Sequence, residues 1–460
     1  MTNPPDSHSL RYQPGLDGLR ALSVLGVILF HAGYNWIPGG FLGVEVFFVV
    51  SGYLITSLLV EEWRTAGDID LRRFWTRRAR RLLPALFVML FVTCAYAALF
   101  VPDARNQLRG DSVAALAYVM NWWQIASHQS YFGALGRPPL LRHLWSLAVE
   151  EQWYLMWPLV FRFGMRRARG RARRLAPIAL VAAFLSAIEM AVLFHPNSDP
   201  SRVYYGTDTR AAGLLVGAAL AFVWAPWKWQ RARERHLVAV DIAGVVALAL
   251  LAVAFLEFDE SGYFAGQDRL GPVLYRGGFL VVSLLSAVAI AAVVHPGARL
   301  LRAGMSAKPL VWVGLRSYGL YLWHWPVFMV TTPQDIPLDG PALFVFRIAV
   351  TVALTEASYR FVELPIRGGA IRRFLERTRA SGDDERVEIL APVRLAAVTG
   401  GIVIGLIAVQ LAVAPRFNQL TGGAAPAPAP ASIADTTSTS GVTSPGTASS
   451  SVGAPTGGAL

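Results

Sequence analysis

The sequence predicts an all-α, polytopic membrane protein of about eleven transmembrane helices followed by a disordered C-terminal tail. Of its 460 residues, 54% are hydrophobic and only 16% are charged, and the mean hydropathy is +0.43. Apolar stretches of about 17–25 residues, long enough to cross a bilayer as helices, recur along the chain. Lys and Arg are concentrated in every second loop between these stretches, as is typical of cytoplasmic loops. These observations favour a multi-pass protein of the plasma membrane.

The apolar stretches also divide the chain. We expect spans near residues 18–34, 41–60, 82–101, 144–163, 175–194, 210–226, 237–256, 272–294, 310–330, 341–362 and 393–415. The predicted parts are a cytoplasmic N-terminal segment (1–11), a ten-helix membrane core (12–367), a cytoplasmic linker (368–392), an extra transmembrane helix (393–415) and a disordered extracytoplasmic tail (416–460). Residues 112–126 are also apolar, but a span there would put the Arg-rich loop 163–174 outside. We therefore interpret them as interfacial or re-entrant.

The charge and the cysteine content exclude several functions. The net charge of +12 comes from the cytoplasmic loops, where Lys and Arg face anionic lipid, so membrane lipid is the expected partner and nucleic acid is not. The one cysteine, Cys94, lies inside a predicted span, which rules out an intramolecular disulfide. The histidines have no Cys or His partner at ligand spacing, so we expect no metal and no permanently bound cofactor.

Seven arginines lie within residues 64–81, directly before the third predicted span. Guanidinium groups are fork-shaped donors that bind phosphate oxygens in pairs. This cluster, which includes Arg77, Arg78 and Arg81, is therefore a candidate binding site for a phosphorylated carrier that approaches from the cytoplasm.

The first span carries Arg20 and His31, which are eleven residues apart. At about 100° per residue they lie within roughly 20° of one helix face, about 16 Å apart along the axis. Ionisable groups inside a membrane are costly and usually functional. His31 is thus a candidate general base. The alternatives are a snorkelling border arginine and a histidine that only bonds a neighbouring helix.

The fourth span begins with His143, Ser146 and Glu150, whose spacing of three and four puts them on one face. We expect Glu150 to orient His31 or to balance its charge. A buried Glu–Arg pair that only sets helix packing is the alternative. In the ninth span, Ser317, Tyr321 and His324 share a face, which suits either a polar pocket or an aromatic belt.

In their order along the chain, seven motifs of residues 12–367 resemble those of the membrane acyltransferase-3 family of bacterial O-acyltransferases. They are LDGLRA at 16–21 followed by His31, GVEVFF and SGYLI at 43–55, RRARRLLP at 77–84, HLWSLAVEEQ at 143–152, YYGTDTR at 204–210, SYGLYLWHWP at 317–326 and YRFVELP at 359–365.

The resemblance implies a ten-helix core that passes an acyl group, usually acetyl, from cytoplasmic acyl-CoA to a hydroxyl of an extracytoplasmic glycan. By the same resemblance Arg20 and His31 match the family's essential pair, and Arg78 and Arg81 match the arginines proposed to hold the CoA phosphates. Glu150 joins Arg20 and His31 as a catalytic candidate. The candidates for acceptor binding are Ser146, Asp208, Arg210 and His324.

Two alternative functions stay open, and the sequence departs from the family pattern in one respect. A macrolide or another small molecule could be the acceptor instead of a surface glycan. A transporter of lipid-linked glycans would also have many helices and intramembrane charges, but it often has matching halves, which this sequence lacks. Many cell-wall members carry a fused extracytoplasmic domain, whereas here the tail follows the eleventh helix. We therefore expect direct transfer or a separate extracytoplasmic transferase as partner.

Overall fold

The computed structural model describes residues 12–132, 137–196, 198–224, 237–258 and 271–413. This part of the chain contains helices and no strand, which confirms the all-α prediction. The predicted N-terminal segment 1–11 and the tail 416–460 lie outside the described residues.

The first half of the described chain runs through nine α-helices. These are α1 Pro14–His31, α2 Gly43–Ala66, α3 Leu71–Phe100, α4 Arg105–Leu116, α5 Met120–Ala126, α6 Leu144–Arg167, α7 Leu175–Leu193, α8 Ser201–Tyr205 and α9 Thr207–Val223. Single 3-10 turns lie before α2, α4 and α7, at Pro38–Leu42, Pro102–Ala104 and Ala172–Arg174.

The second half contains nine more. These are α10 Val238–Glu257, α11 Gly271–Val273, α12 Phe279–Val294, α13 Arg299–Met305, α14 Lys308–Val330, α15 Gly340–Ser358, α16 Leu364–Arg367, α17 Ala370–Ala380 and α18 Asp383–Val413. Two π-helical turns join α11 to α12 and α15 to α16, at Leu274–Gly278 and Tyr359–Glu363.

Seven segments of the described chain are long and apolar enough to cross a membrane, so the protein is a multi-pass membrane protein. They begin at Pro14, Pro38, Leu71, Ala172, Val238, Leu274 and Gly340. Helices also lie at the other four predicted spans, namely α6, α9, α14 and α18. These four helices do not meet the same requirement of length and apolar composition, so the total of eleven transmembrane helices stays a prediction.

The arginine-rich stretch is helical, which differs from the loop that we expected over 61–81. Helix α2 continues to Ala66, and α3 begins at Leu71. Asp70 caps the N-terminus of α3, because its side chain accepts a hydrogen bond from the backbone N–H of Arg73 at 2.9 Å. Six of the seven arginines therefore occupy the first turns of α3, and Arg64 lies in the last turn of α2. Because the helix fixes the direction of each side chain, it determines which of these arginines face the protein interior.

The apolar residues 112–126 fall on two short helices, α4 and α5, of 12 and 7 residues. At about 1.5 Å per residue, neither helix is long enough to cross a hydrocarbon core of about 30 Å. These lengths fit the interfacial or re-entrant interpretation.

Close backbone contact between α2 and α9 organises one side of the core. A Cβ atom at Gly52 would lie 2.0 Å from the Leu214 carbonyl oxygen, and one at Gly217 would lie 2.1 Å from that of Val49. Small residues that let helix backbones touch are the common basis of helix packing in membranes. This contact fixes the direction in which α2 presents Ser51 and Glu45.

Candidate functional site

Five of the predicted site residues line one cavity between α1, α2, α3, α6 and α14. The cavity has a volume of about 80 Å³, room for several water molecules. We call it the arginine cavity, and its predicted residues are Arg20, Arg78, Arg81, Ser146 and Glu150. Helical spacing singled out Ser146 and Glu150, and the arginine cluster and the family resemblance singled out Arg78 and Arg81. The fold brings these side chains together with Arg20.

Arg78 and Arg81 face this cavity because they lie three residues apart on α3, on the side of the buried Phe74. The Arg78 guanidinium lies 5.7 Å from the centre of the Phe74 ring and 5.6 Å from that of Tyr154. The position of Arg77 differs from the prediction that it binds the same ligand as Arg78 and Arg81. Arg77 points outward, its side chain is 52% exposed, and it pairs with Glu62 at 3.2 Å, so it does not line the cavity.

The polar groups of the arginine cavity are linked by short contacts. Arg20 Nη1 lies 3.5 Å from Asp17 Oδ1, and Asp17 also accepts a hydrogen bond from the Tyr12 hydroxyl at 2.7 Å. Ser51 donates to Glu150 Oε1 at 2.6 Å. A cavity with three arginines and one carboxylate has an excess of positive charge, which suits a phosphate or another anion.

His31 lies at the other end of α1, in a much tighter chamber of about 10 Å³, the volume of one water molecule. We call it the histidine chamber, and its polar and aromatic lining residues are His31, Phe41, Tyr131, Arg142, His143, Trp145, Tyr321 and Trp325. Val44 and Tyr321 line both the histidine chamber and the arginine cavity. The two spaces are therefore neighbours along α1, separated by these side chains.

Backbone carbonyl groups fix the protonation pattern of the histidines. His324 Nδ1 lies 2.7 Å from the Tyr321 carbonyl oxygen and 3.1 Å from that of Leu320, and since a carbonyl only accepts, Nδ1 carries the proton. In the neutral ring, His324 Nε2 is then an acceptor. His31 Nδ1 lies 2.9 Å from it and must donate. The lone pair of His31 is therefore on Nε2, where the Tyr131 hydroxyl lies 3.4 Å away.

This arrangement corrects the expected role of Glu150. Glu150 lies in the arginine cavity on Ser51, whereas both ring nitrogens of His31 have other neighbours. His324, predicted as an acceptor-binding residue, holds the position next to His31 that we expected Glu150 to hold. A contact between residues 293 positions apart cannot be found from helical spacing within one span.

Arg210 and Asp208 also lie away from the histidine chamber. Arg210 is 1% exposed and pairs with the equally buried Glu45 at 2.9 Å, which ties α9 to α2. Asp208, in the first turn of α9, pairs with Arg202 of α8 at 2.6 Å. Neither residue lines the arginine cavity or the histidine chamber, so their predicted part in the acceptor pocket is not supported by their positions.

Sequence reasoning missed Tyr131 and Arg142, which line the histidine chamber. Arg142 directly precedes His143, so an arginine at the start of a histidine-containing span was an available signal. Tyr131 lies in an irregular segment and had no such signal. Among the described residues, no group of three or more His, Cys, Asp or Glu side chains could hold a metal ion.

Residues 13–359 match the model of a protein family described as an acyltransferase domain. The chain belongs to this family. The match covers both the arginine cavity and the histidine chamber, and the resemblance found from the motifs is confirmed.

Three relatives show what the chain is similar to. YrhL of Bacillus subtilis, provisionally named a peptidoglycan O-acetyltransferase, is 46% identical over 369 residues, which are 80% of this chain and 57% of YrhL. The peptidoglycan O-acetyltransferase OatA of Listeria monocytogenes is 43% identical over 78% of this chain and 56% of its own length. The O-acetyltransferase OatA of Staphylococcus aureus is 39% identical over 83% and 62%. The chain thus spans 56–62% of these relatives' lengths, less than two thirds of each. No solved structure matches it.

Proposed function

We propose that this protein is a membrane O-acetyltransferase that moves an acetyl group from cytoplasmic acyl-CoA to a hydroxyl of an extracytoplasmic cell-wall glycan. The observation that carries the proposal is the pair of adjoining spaces, a positively charged cavity and a chamber with a histidine lone pair, which share Val44 and Tyr321. Family membership and the names of the relatives support the reaction and the acceptor class. A macrolide or another small molecule is the alternative acceptor.

The arginine cavity would hold the donor. Arg78 and Arg81 reach the cavity from α3 and Arg20 reaches it from α1, so phosphate oxygens of CoA could receive charged hydrogen bonds from two helices. Each such bond contributes about 1.5–3 kcal/mol. The thioester arm would then point along α1 past Val44 and Tyr321. Acyl-CoA is a co-substrate in this proposal, and no resident cofactor is needed.

His31 would act as the base. Its Nε2 takes the proton of the acceptor hydroxyl, the hydroxyl oxygen bonds to the thioester carbonyl carbon, and the carbon–sulfur bond then breaks. The proton passes from His31 to the leaving thiolate, so CoA leaves as a thiol. While His31 is protonated, its Nδ1–H still donates to His324 Nε2 at 2.9 Å. The same lone pair could instead carry the acetyl group briefly as an acyl-imidazole.

The direct test is turnover of radiolabelled acetyl-CoA by the purified protein in nanodiscs, with and without a glycan acceptor. We expect transfer or slow hydrolysis by the wild type and none by His31→Ala. His195→Ala, at an exposed histidine, is the matched control and should keep wild-type turnover. Label retained on the protein would identify the acyl-imidazole route. Label that reaches the acceptor only when an extracytoplasmic transferase is added would identify the partner route.

The proposed direction can be tested separately. Cys94 is the one cysteine of the chain, so Cys94→Ser gives a background free of thiols. In that background Arg80→Cys, at the start of α3, should react with a membrane-impermeant maleimide from the cytoplasmic side. Asp335→Cys, between α14 and α15, should react from the other side. Labelling of both from one side would contradict the orientation.

A further inference from the structure

The histidine chamber contains a buried cation without a counter-charge. Arg142 is 8% exposed, and no carboxylate of the described residues lies within ion-pair distance of it. Its Nη1 donates to the Tyr131 carbonyl oxygen at 2.8 Å, but its Nε has no hydrogen-bond partner. The other deeply buried arginine, Arg210, has Glu45 at 2.9 Å. Arg142 is thus the exception, and it lies where the proposed chemistry occurs.

The same two aromatic side chains hold Arg142 and His31. The Arg142 guanidinium carbon lies 4.9 Å from the centre of the Tyr131 ring and 4.6 Å from that of Trp325. Trp325 also packs edge-on against the His31 ring at 4.6 Å, and the Tyr131 hydroxyl lies 3.4 Å from His31 Nε2. The cation and the base therefore face one small space across shared walls.

A cation removed from water without an opposite charge is costly to the folded protein, and ring faces recover only part of that cost. Replacing the Arg142 side chain with an apolar one would stabilise the fold, so we expect the charge to have a function. An anion that exists only during the reaction explains why no carboxylate of the protein is present. A fixed carboxylate would neutralise the guanidinium in advance and weaken its interaction with that anion.

We propose that Arg142 is a catalytic residue that binds the oxyanion formed on the acetyl carbonyl, and this rests on the function proposed above. When the acceptor oxygen bonds to the carbonyl carbon, the carbonyl π electrons move to its oxygen, which becomes negative. The free Nε–H of Arg142 donates to that oxygen. As the carbon–sulfur bond breaks, the electrons return to re-form the carbonyl, and Arg142 is unpaired again.

The test measures kcat, KM for the acceptor and Kd for acetyl-CoA in nanodiscs for Arg142→Gln and Arg142→Lys. We expect kcat to fall by about 10²–10³-fold in Arg142→Gln, with both binding constants near wild type. Arg142→Lys, which keeps the charge, should retain more activity. Arg166→Gln is the control: Arg166 is exposed at the C-terminal end of α6, the helix that begins two residues after Arg142, and the variant should keep wild-type kcat.

A further variant distinguishes loss of a catalytic group from disturbed folding. In Arg142→Ala, added guanidinium ion should restore part of the rate in a saturable manner, which a purely structural defect would not allow. A folded Arg142→Gln protein with wild-type kcat would overturn the proposal. So would a rise in acceptor KM alone, which would assign Arg142 to a permanent carboxylate of the acceptor. Absence of turnover in the wild type would overturn the proposed function and this inference together.

Discussion

The two ends of α1 place ionisable side chains in opposite surroundings. At the Arg20 end, three arginines line a cavity of about 80 Å³, large enough for water and for part of a ligand. At the His31 end, three histidines and Arg142 are packed among aromatic rings around about 10 Å³. The first end is suited to binding an anion that arrives from water. The second has room for about one water molecule, and keeping bulk water out would strengthen electrostatic interactions there and protect a bound thioester from hydrolysis.

The comparison teaches that charge alone does not identify a site within a membrane protein. Arg78 and Arg81 line an open cavity, whereas Arg210 is neutralised by Glu45 inside the core. All three are intramembrane or border arginines in the sequence. What distinguishes them is whether the fold supplies a counter-charge, and only the structure contains that information.

After His31 itself, the largest expected effect is at His324, which fixes the tautomer of His31. His324→Leu removes the acceptor for His31 Nδ1–H, so the lone pair is no longer held on Nε2, and we expect kcat to fall by about 10²–10⁴-fold. His324→Gln can place an amide oxygen near the original Nε2 and should recover most of the activity. Steady-state transfer assays measure both, and equal losses in the two variants would refute the tautomer argument.

Breaking the Glu45–Arg210 pair should reduce stability and leave the site intact. Glu45→Gln or Arg210→Met alone leaves one buried charge unpaired, which costs about 3–5 kcal/mol. The double variant should be more stable than either single variant, because no charge is left unpaired. Thermal unfolding in detergent gives the order of the three. Loss of acetyl-CoA binding by folded protein would return Arg210 to the functional residues.

The arginine cavity can be tested against the other face of the same helix. Arg78→Ala with Arg81→Ala should weaken acetyl-CoA binding by about 10²–10⁴-fold, since each of the two charged hydrogen bonds contributes about 1.5–3 kcal/mol. Arg77→Ala with Arg80→Ala removes the same charge from exposed positions and should change the dissociation constant by less than about threefold. Calorimetric titration in nanodiscs compares the pairs. Equal weakening in both would mean that only overall charge matters.

The smallest effect is expected in the loop after α14. The hydrogen bond from Arg137 lowers the pKa of Asp335 from its ordinary 3.8 to about 2. Because the folded pKa is the lower one, the pair stabilises the fold above about pH 4, and this contribution is lost as the pH falls towards 2. Asp335→Asn should lower the unfolding temperature slightly at pH 6 and by clearly less at pH 2.5, where part of the contribution is already lost. A partly exposed pair contributes at most about 1 kcal/mol.

Helical spacing and the family resemblance predicted part of the site, and long-range contacts account for the rest. The four-residue spacing of Ser146 and Glu150 placed them on one face, because a helix alone decides which side chains share a face. Arg78 and Arg81 were singled out by the arginine cluster and the family motif, not by their spacing. The contact of His31 with His324 joins α1 to α14 and depends on how the helices pack.

The expected loop before the third span was wrong for a related reason. The arginines at the start of α3 end the apolar stretch, but they do not end the helix, because Arg has a high helix propensity. Apolar length therefore placed the span correctly and missed the helical turns that precede it. Those turns are the ones that direct Arg78 and Arg81 into the cavity.

The most direct test of the account measures the acetyl-CoA dissociation constant and kcat side by side for His31→Gln and for the Arg78→Ala, Arg81→Ala double variant. The account predicts separation: His31→Gln binds acetyl-CoA like the wild type and does not turn it over. The double variant binds weakly and approaches wild-type kcat at saturating acetyl-CoA. If binding and turnover fall together in both proteins, the arginine cavity and the histidine chamber do not have separate roles, and the account is wrong.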